Sequence, residues 1–223
     1  MIRARHSPVF AAVFARYAKW LLRRHFRAVY VSGSLPDTRS PLLVAAQHVA
    51  WWDPIVLFHL SRTRFSGVHY AMMGADNLRR LAYFGRLGAF GLDRRHLAGS
   101  LKYACARLAE PFARVWIFPQ GEAAPADARP IVCERGGDWL ASRARVPVVP
   151  VALRYDFGDD RLPTAYLRFG APRMVEHDGD VEAMLNRVAV ELANDVHTGR
   201  LSSYDKVLDG RRSISDRFAG RIG

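Results

Sequence analysis

Leu42-Leu43-Val44-Ala45-Ala46-Gln47-His48-Val49-Ala50-Trp51-Trp52-Asp53-Pro54 runs from five apolar residues through a polar turn to a proline that opens a helical stretch, Pro54 to Leu60. The apolar run reads as a short buried strand, and proline suits the first position of a helix because its φ is already set. A second stretch repeats the pattern. Arg114-Val115-Trp116-Ile117-Phe118 is an apolar strand that ends in the tight turn Pro119-Gln120-Gly121-Glu122. Two polar turns following two strands point to an α/β fold, in which ligands sit outside the carboxyl ends of the strands.

Working outward, strand-like runs recur at Ala28 to Val31, Val68 to Met72, Val148 to Leu153 and Tyr166 to Phe169. The clearest helices are Leu97 to Ala109 and Asp180 to His197, the latter with Val181, Met184, Leu185, Val188 and Leu192 on one face. At 223 residues, half of them apolar, the chain has enough material for one substantial core. The expected fold is a single α/β domain, residues 32–223, with a mixed sheet flanked by helices. A basic amphipathic helix, residues 1–31, precedes it. No internal repeat or low-complexity tract interrupts the pattern.

His48 and Asp53, five residues apart across the first turn, are the candidate chemistry. Imidazole titrates near neutrality, so it can take a proton from a hydroxyl and return it to a leaving group. A carboxylate on its other nitrogen fixes the tautomer and stabilises the imidazolium. A plainer account also fits: Asp53 as helix N-cap ahead of Pro54, with His48 as a core histidine.

With these segments in place, the chain resembles the lysophospholipid acyltransferases, which include the 1-acylglycerol-phosphate acyltransferases. Their H-x-x-x-x-D motif is matched by His48 and Asp53. Their glycine followed six residues later by arginine is matched by Gly88 and Arg94. Their F-P-E-G-T-R is met by Phe118-Pro119-Gln120-Gly121-Glu122-Ala123, and their V-P-V strand by Val146 to Ala152. The ordered set spans roughly residues 40 to 155. The resemblance implies transfer of a fatty acyl group from acyl-coenzyme A or acyl carrier protein to a hydroxyl of a lipid acceptor, in phospholipid or other membrane-lipid biosynthesis. His48 is then the general base and Asp53 its orienter. Arg94, Phe118, Pro119, Gln120, Gly121 and Glu122 form the substrate-binding set, with Arg94 on a phosphate and Gly121 letting backbone amides approach the oxyanion or the acceptor.

The third motif departs from the family. Its glutamate and arginine are associated with acceptor binding, the arginine with the phosphate of lysophosphatidic acid, and here Gln120 and Ala123 stand in their places. The expected consequence is a poor preference for phosphate-bearing lysolipids, unless Arg94, Arg129 or Arg135 supplies the charge. Gln120 and Glu122 would then meet acceptor hydroxyls, with a solvated Glu122 as the alternative.

Two cysteines, Cys105 and Cys133, make no disulfide framework and lack metal-ligand spacing, and the histidines form no H-E-x-x-H cluster, so neither metal nor cofactor is expected. The formal charge of +12 is uneven: Arg3, Arg5, Arg16, Lys19, Arg23, Arg24 and Arg27 all precede the first acidic residue, Asp37. Val9, Phe10, Val13, Phe14, Tyr17, Trp20 and Leu21 interleave with them at helical spacing. Such a segment either lies on anionic lipid or packs on the protein's own core. Trp51 and Trp52 pose the same choice between core, acyl-chain entry and membrane interface. With no cleavable signal and no apolar span of bilayer length, the expected location is peripheral, at the cytoplasmic face of the membrane. A non-catalytic basic module on anionic membrane or nucleic acid is the competing function, though no nucleic-acid motif accompanies the charge.

Overall fold

The structure is a computed structural model and describes residues 2–158 and 160–211; the end of the expected domain, 212–223, lies outside them. The elements run α1 (Pro8–His25), β1 (Ala28–Ser32), β2 (Leu42–Ala46), α2 (Asp53–Thr63), β3 (Val68–Gly74), α3 (Ala75–Arg80), β4 (Ala89–Leu92), α4 (Leu97–Leu108), β5 (Ala113–Ile117), α5 (Gly136–Ala144), β6 (Val148–Asp156), β7 (Thr164–Phe169), α6 (Asp180–His197) and β8 (Asp205–Asp209). Short 3-10 turns occupy Ala82–Leu87 and Arg94–His96.

The strands form one mixed sheet in the order β4-β3-β5-β2-β6-β7-β1-β8. The five from β4 to β6 are mutually parallel, whereas β7 runs antiparallel to β6 and β8 antiparallel to β1. This is the α/β fold that the sequence predicts. β2 is central and buried throughout because both of its faces are covered. Leu42, Val44 and Ala46 pack with Phe14, Leu22, Ile55, Val56 and Leu60 under α1 and α2. Leu43 and Ala45 face the opposite layer, with Leu140, Leu185 and Leu192 from α5 and α6.

α1 starts where Ser7 Oγ accepts from Phe10 N at 3.4 Å and Pro8 takes the first helical position; Arg23, Arg24 and His25 complement the dipole at its end. It buries Phe14, Ala18 and Leu22 while Val9, Val13, Tyr17 and Trp20 remain exposed. The helix stops at His25, and residues 28–32 pair in register with β7. The boundary expected at residue 31/32 therefore falls inside a sheet strand.

Sequence periodicity does not predict β4, β8, α3 or α5. β4 has four residues, one of them Gly91, and β8 is a charged edge strand, Asp205-Lys206-Val207-Leu208-Asp209. α5 opens on two glycines, which are poor helix formers. Burial of Leu140 and Ala141 holds it, and a Cβ on Gly137 would lie 3.3 Å from Ile117 Cδ1. The bare glycine lets α5 sit close on β5.

Candidate active site

β2, β5 and β6 are parallel, so residues that follow them meet at one edge of the sheet. β2 ends at Ala46; Gln47 still donates its amide to Val151 O at 2.8 Å, and the chain then turns through His48 into α2. Asp53 is the first residue of that helix and is fully buried.

Its carboxylate reaches backward. Oδ2 accepts from His48 Nδ1 at 2.7 Å, from Val49 N at 2.6 Å and from Ala50 N at 2.9 Å. Oδ1 accepts from Tyr155 Oη at 2.7 Å. The N-cap account is thereby corrected: the cap position belongs to Trp52, which makes no side-chain cap bond. Oδ2 already accepts two amide protons, so His48 Nδ1 is the donor of this pair and Nε2 is the ring nitrogen that Asp53 leaves free. The His48 side chain is 22 % exposed.

The turn after β5 braces the histidine. Phe118 lies almost parallel to the His48 ring, with centroids 4.4 Å apart. His48 N donates to Gln120 Oε1 at 2.7 Å and Ala124 N donates to His48 O at 3.0 Å. Gln120 thus spends one lone pair of its carbonyl oxygen on the backbone of His48. Pro119 is buried and Glu122 exposed. Gly121 adopts φ +80°, and its own amide donates to Phe118 O at 3.1 Å, so that amide is spent inside the turn. The amides of Gln120 and Glu122 have no protein acceptor among the described residues.

Arg94 follows β4 and comes to the same turn, where it forms an ion pair with Glu134. A Cβ on Gly121 would lie 3.0 Å from Glu134 Oε1 and 3.7 Å from Arg94 Nη2. Arg129 and Arg135 are engaged elsewhere: Arg129 donates to the carbonyls of Ala126 and Ala128, and Arg135 lies 4.0 Å from Asp178. Gly88, at the head of the second motif, sits at φ +101°, and a Cβ there would lie 2.5 Å from His69 O. The sharp entry into β4 requires glycine.

Sequence reasoning missed Tyr155 and Glu134. Strand alternation carries the signal for the first, since Val149, Val151 and Leu153 share one core layer and the period of two brings Tyr155 to the same face. Burial raises the Tyr155 hydroxyl well above its ordinary pKa, and Asp53 adds to the effect, so Tyr155 remains a hydrogen-bond donor. Trp52 packs its ring edge-on against Phe26 and beside His25, whereas Trp51 is exposed. No group of three or more histidine, cysteine or acidic side chains placed to hold a metal occurs among the described residues.

A family model described as Acyltransferase matches residues 27–154, more than half of the chain. No curated protein matches. The fold is similar to the crystal structure of the 1-acyl-sn-glycerophosphate (LPA) acyltransferase PlsC from Thermotoga maritima, with a TM-score of 0.59 and 19% sequence identity over 83% of this chain and 78% of that one.

Proposed function

The chain belongs to the acyltransferase family, and from that premise we propose that it moves a fatty acyl group from a thioester donor to a hydroxyl of a lipid acceptor, with His48 as general base. The donor is acyl-coenzyme A or acyl carrier protein. The observation that carries the reading is a buried Asp53 holding Nδ1 of a partly open imidazole.

In this reading His48 Nε2 takes the acceptor's hydroxyl proton while the oxygen attacks the thioester carbonyl. The tetrahedral intermediate collapses with cleavage of the C–S bond, and the imidazolium returns its proton to the departing sulfur. An ester and a free thiol result, with no acyl-enzyme. Asp53 stabilises the imidazolium, and the unbonded amides of Gln120 and Glu122 supply donors for the oxyanion.

The acceptor is drawn from a membrane on which the protein sits peripherally, at the cytoplasmic face. The exposed stripe Val9, Val13, Tyr17 and Trp20 on α1 supports this, as does the adjoining cleft of about 660 Å³ lined by Arg16, Lys19, Arg23, Arg24 and Arg211. No helix among the described residues is long and apolar enough to cross a membrane.

The test is thiol release from an acyl thioester. Release that depends on an added lysolipid, with acylated lipid as co-product, is the expected result. Salt-sensitive binding to vesicles or DNA without turnover would instead favour a non-catalytic basic module.

A further inference from the structure

A phosphate monoester carries a charge of about −1.5 to −2 near neutrality and is held best by an unpaired guanidinium in bidentate contact. At the turn after β5, Arg94 is the cation placed to do this, and its charge is already answered by Glu134. Glu134 does not drift there on a loose loop. Its amide donates to Pro119 O at 2.8 Å, which fastens its backbone to the same turn. Its carboxylate lies over Gly121, where a Cβ would come within 3.0 Å of Oε1. Glu122 adds a second, exposed carboxylate, and Gln120 is neutral and bonded to His48. The turn therefore presents one positive and two negative side chains.

We infer that Glu134 is the specificity-determining residue of the acceptor site, and that by holding Arg94 it selects uncharged, hydroxyl-bearing lipid headgroups over phosphate monoesters. The inference rests on the acyl-transfer reading above. A phosphate arriving at Arg94 must displace the Glu134 carboxylate or lie beside it, and the two anions repel. A hydroxyl meets no such conflict, because the pair offers it a donor on Arg94 and an acceptor on Glu134. The side chains are 76% and 50% exposed, so the pair adds little to folding stability and Glu134 can be changed without loss of the fold.

The experiment measures kcat/KM for a monoacylglycerol and for the 1-acylglycerol-3-phosphate of the same chain length. Wild type and Glu134→Gln are compared at one thioester concentration, with melting temperature as the folding control. Wild type is expected to favour the uncharged acceptor by about tenfold or more, and Glu134→Gln to shift the ratio toward the phosphate-bearing lipid by about tenfold. A wild-type preference for the phosphate-bearing lipid, or a ratio untouched by Glu134→Gln, overturns the inference and leaves acyl transfer standing. Acylation of neither lipid overturns the inference, and acyl transfer falls with it only where no added lysolipid promotes thiol release.

Discussion

Asp53 holds four donors on two oxygens with no exposed surface, and each donor comes from a different place: an imidazole, two successive turn amides and a phenol 102 residues away. A buried carboxylate without partners would be very costly, so the donors are what allow a carboxylate to sit beside His48. Tyr155 occupies Oδ1 and leaves Oδ2 for His48, which makes it a positioning residue in the proposed acyl transfer. Tyr155→Phe removes one hydrogen bond to a charged group, worth about 1.5 to 3 kcal/mol, and is expected to lower kcat about tenfold while KM changes little. Steady-state kinetics on folded protein checks this; unchanged kcat would show that the phenol only packs. His48 and Asp53 were legible in the sequence because their spacing is local. Tyr155 and Glu134 were not, because they join the site through β6 and the loop before α5, and no short motif records that closure.

α1 carries two apolar stripes, one packed on the core and one left on the surface, and only the second is open to membrane contact. Phe14, Ala18 and Leu22 are core, and Val9, Val13, Tyr17 and Trp20 are surface. Deleting residues 1–31 would expose core and remove β1 from between β7 and β8, so truncation tests stability rather than membrane binding. Val13→Asp with Trp20→Ser leaves the core intact. It is expected to reduce co-sedimentation with anionic vesicles by tenfold or more, given roughly 1.5 to 3 kcal/mol for full burial of a large apolar side chain, with melting temperature nearly unchanged. Binding equal to wild type would reject the docking role. The long, strongly periodic elements were readable: α6 has the bounds its periodicity predicts, and β2 lies on its apolar run. β8 and α5 were not, because edge pairing and close helix packing stabilise segments whose own propensities argue for loops.

Across the molecule, the sheet puts chemistry at the carboxyl edge of its parallel strands and buried polar anchors nearer the other. Arg114, fully buried at the start of β5, donates to Ser40 O at 2.9 Å, Thr38 O at 2.8 Å and Pro36 O at 3.3 Å, which ties down the loop between β1 and β2. On the neighbouring strand His69 accepts from Trp116 Nε1 at 3.0 Å; an indole nitrogen only donates, so His69 is neutral. Burial pushes its pKa down to about 4, helped by the charges of Arg114 and Arg62. The unfolded chain takes up this proton first, near pH 6.5, so the neutral ring's contribution is whole above that value and is lost as pH falls toward 4. The stability advantage of wild type over His69→Asn is expected to shrink by up to about 3 kcal/mol between pH 7 and pH 4. Urea unfolding at several pH values measures it, and a constant gap would contradict the neutral histidine.

The central claim is that His48 is the base of an acyl transfer to a lipid hydroxyl, and it is tested most directly by acceptor-dependent thiol release from wild type and His48→Ala side by side. General-base catalysis is worth about 10²- to 10⁴-fold, so folded His48→Ala is expected to lose at least a hundredfold in kcat with its melting temperature preserved. Folded His48→Ala that turns over at the wild-type rate would contradict the account.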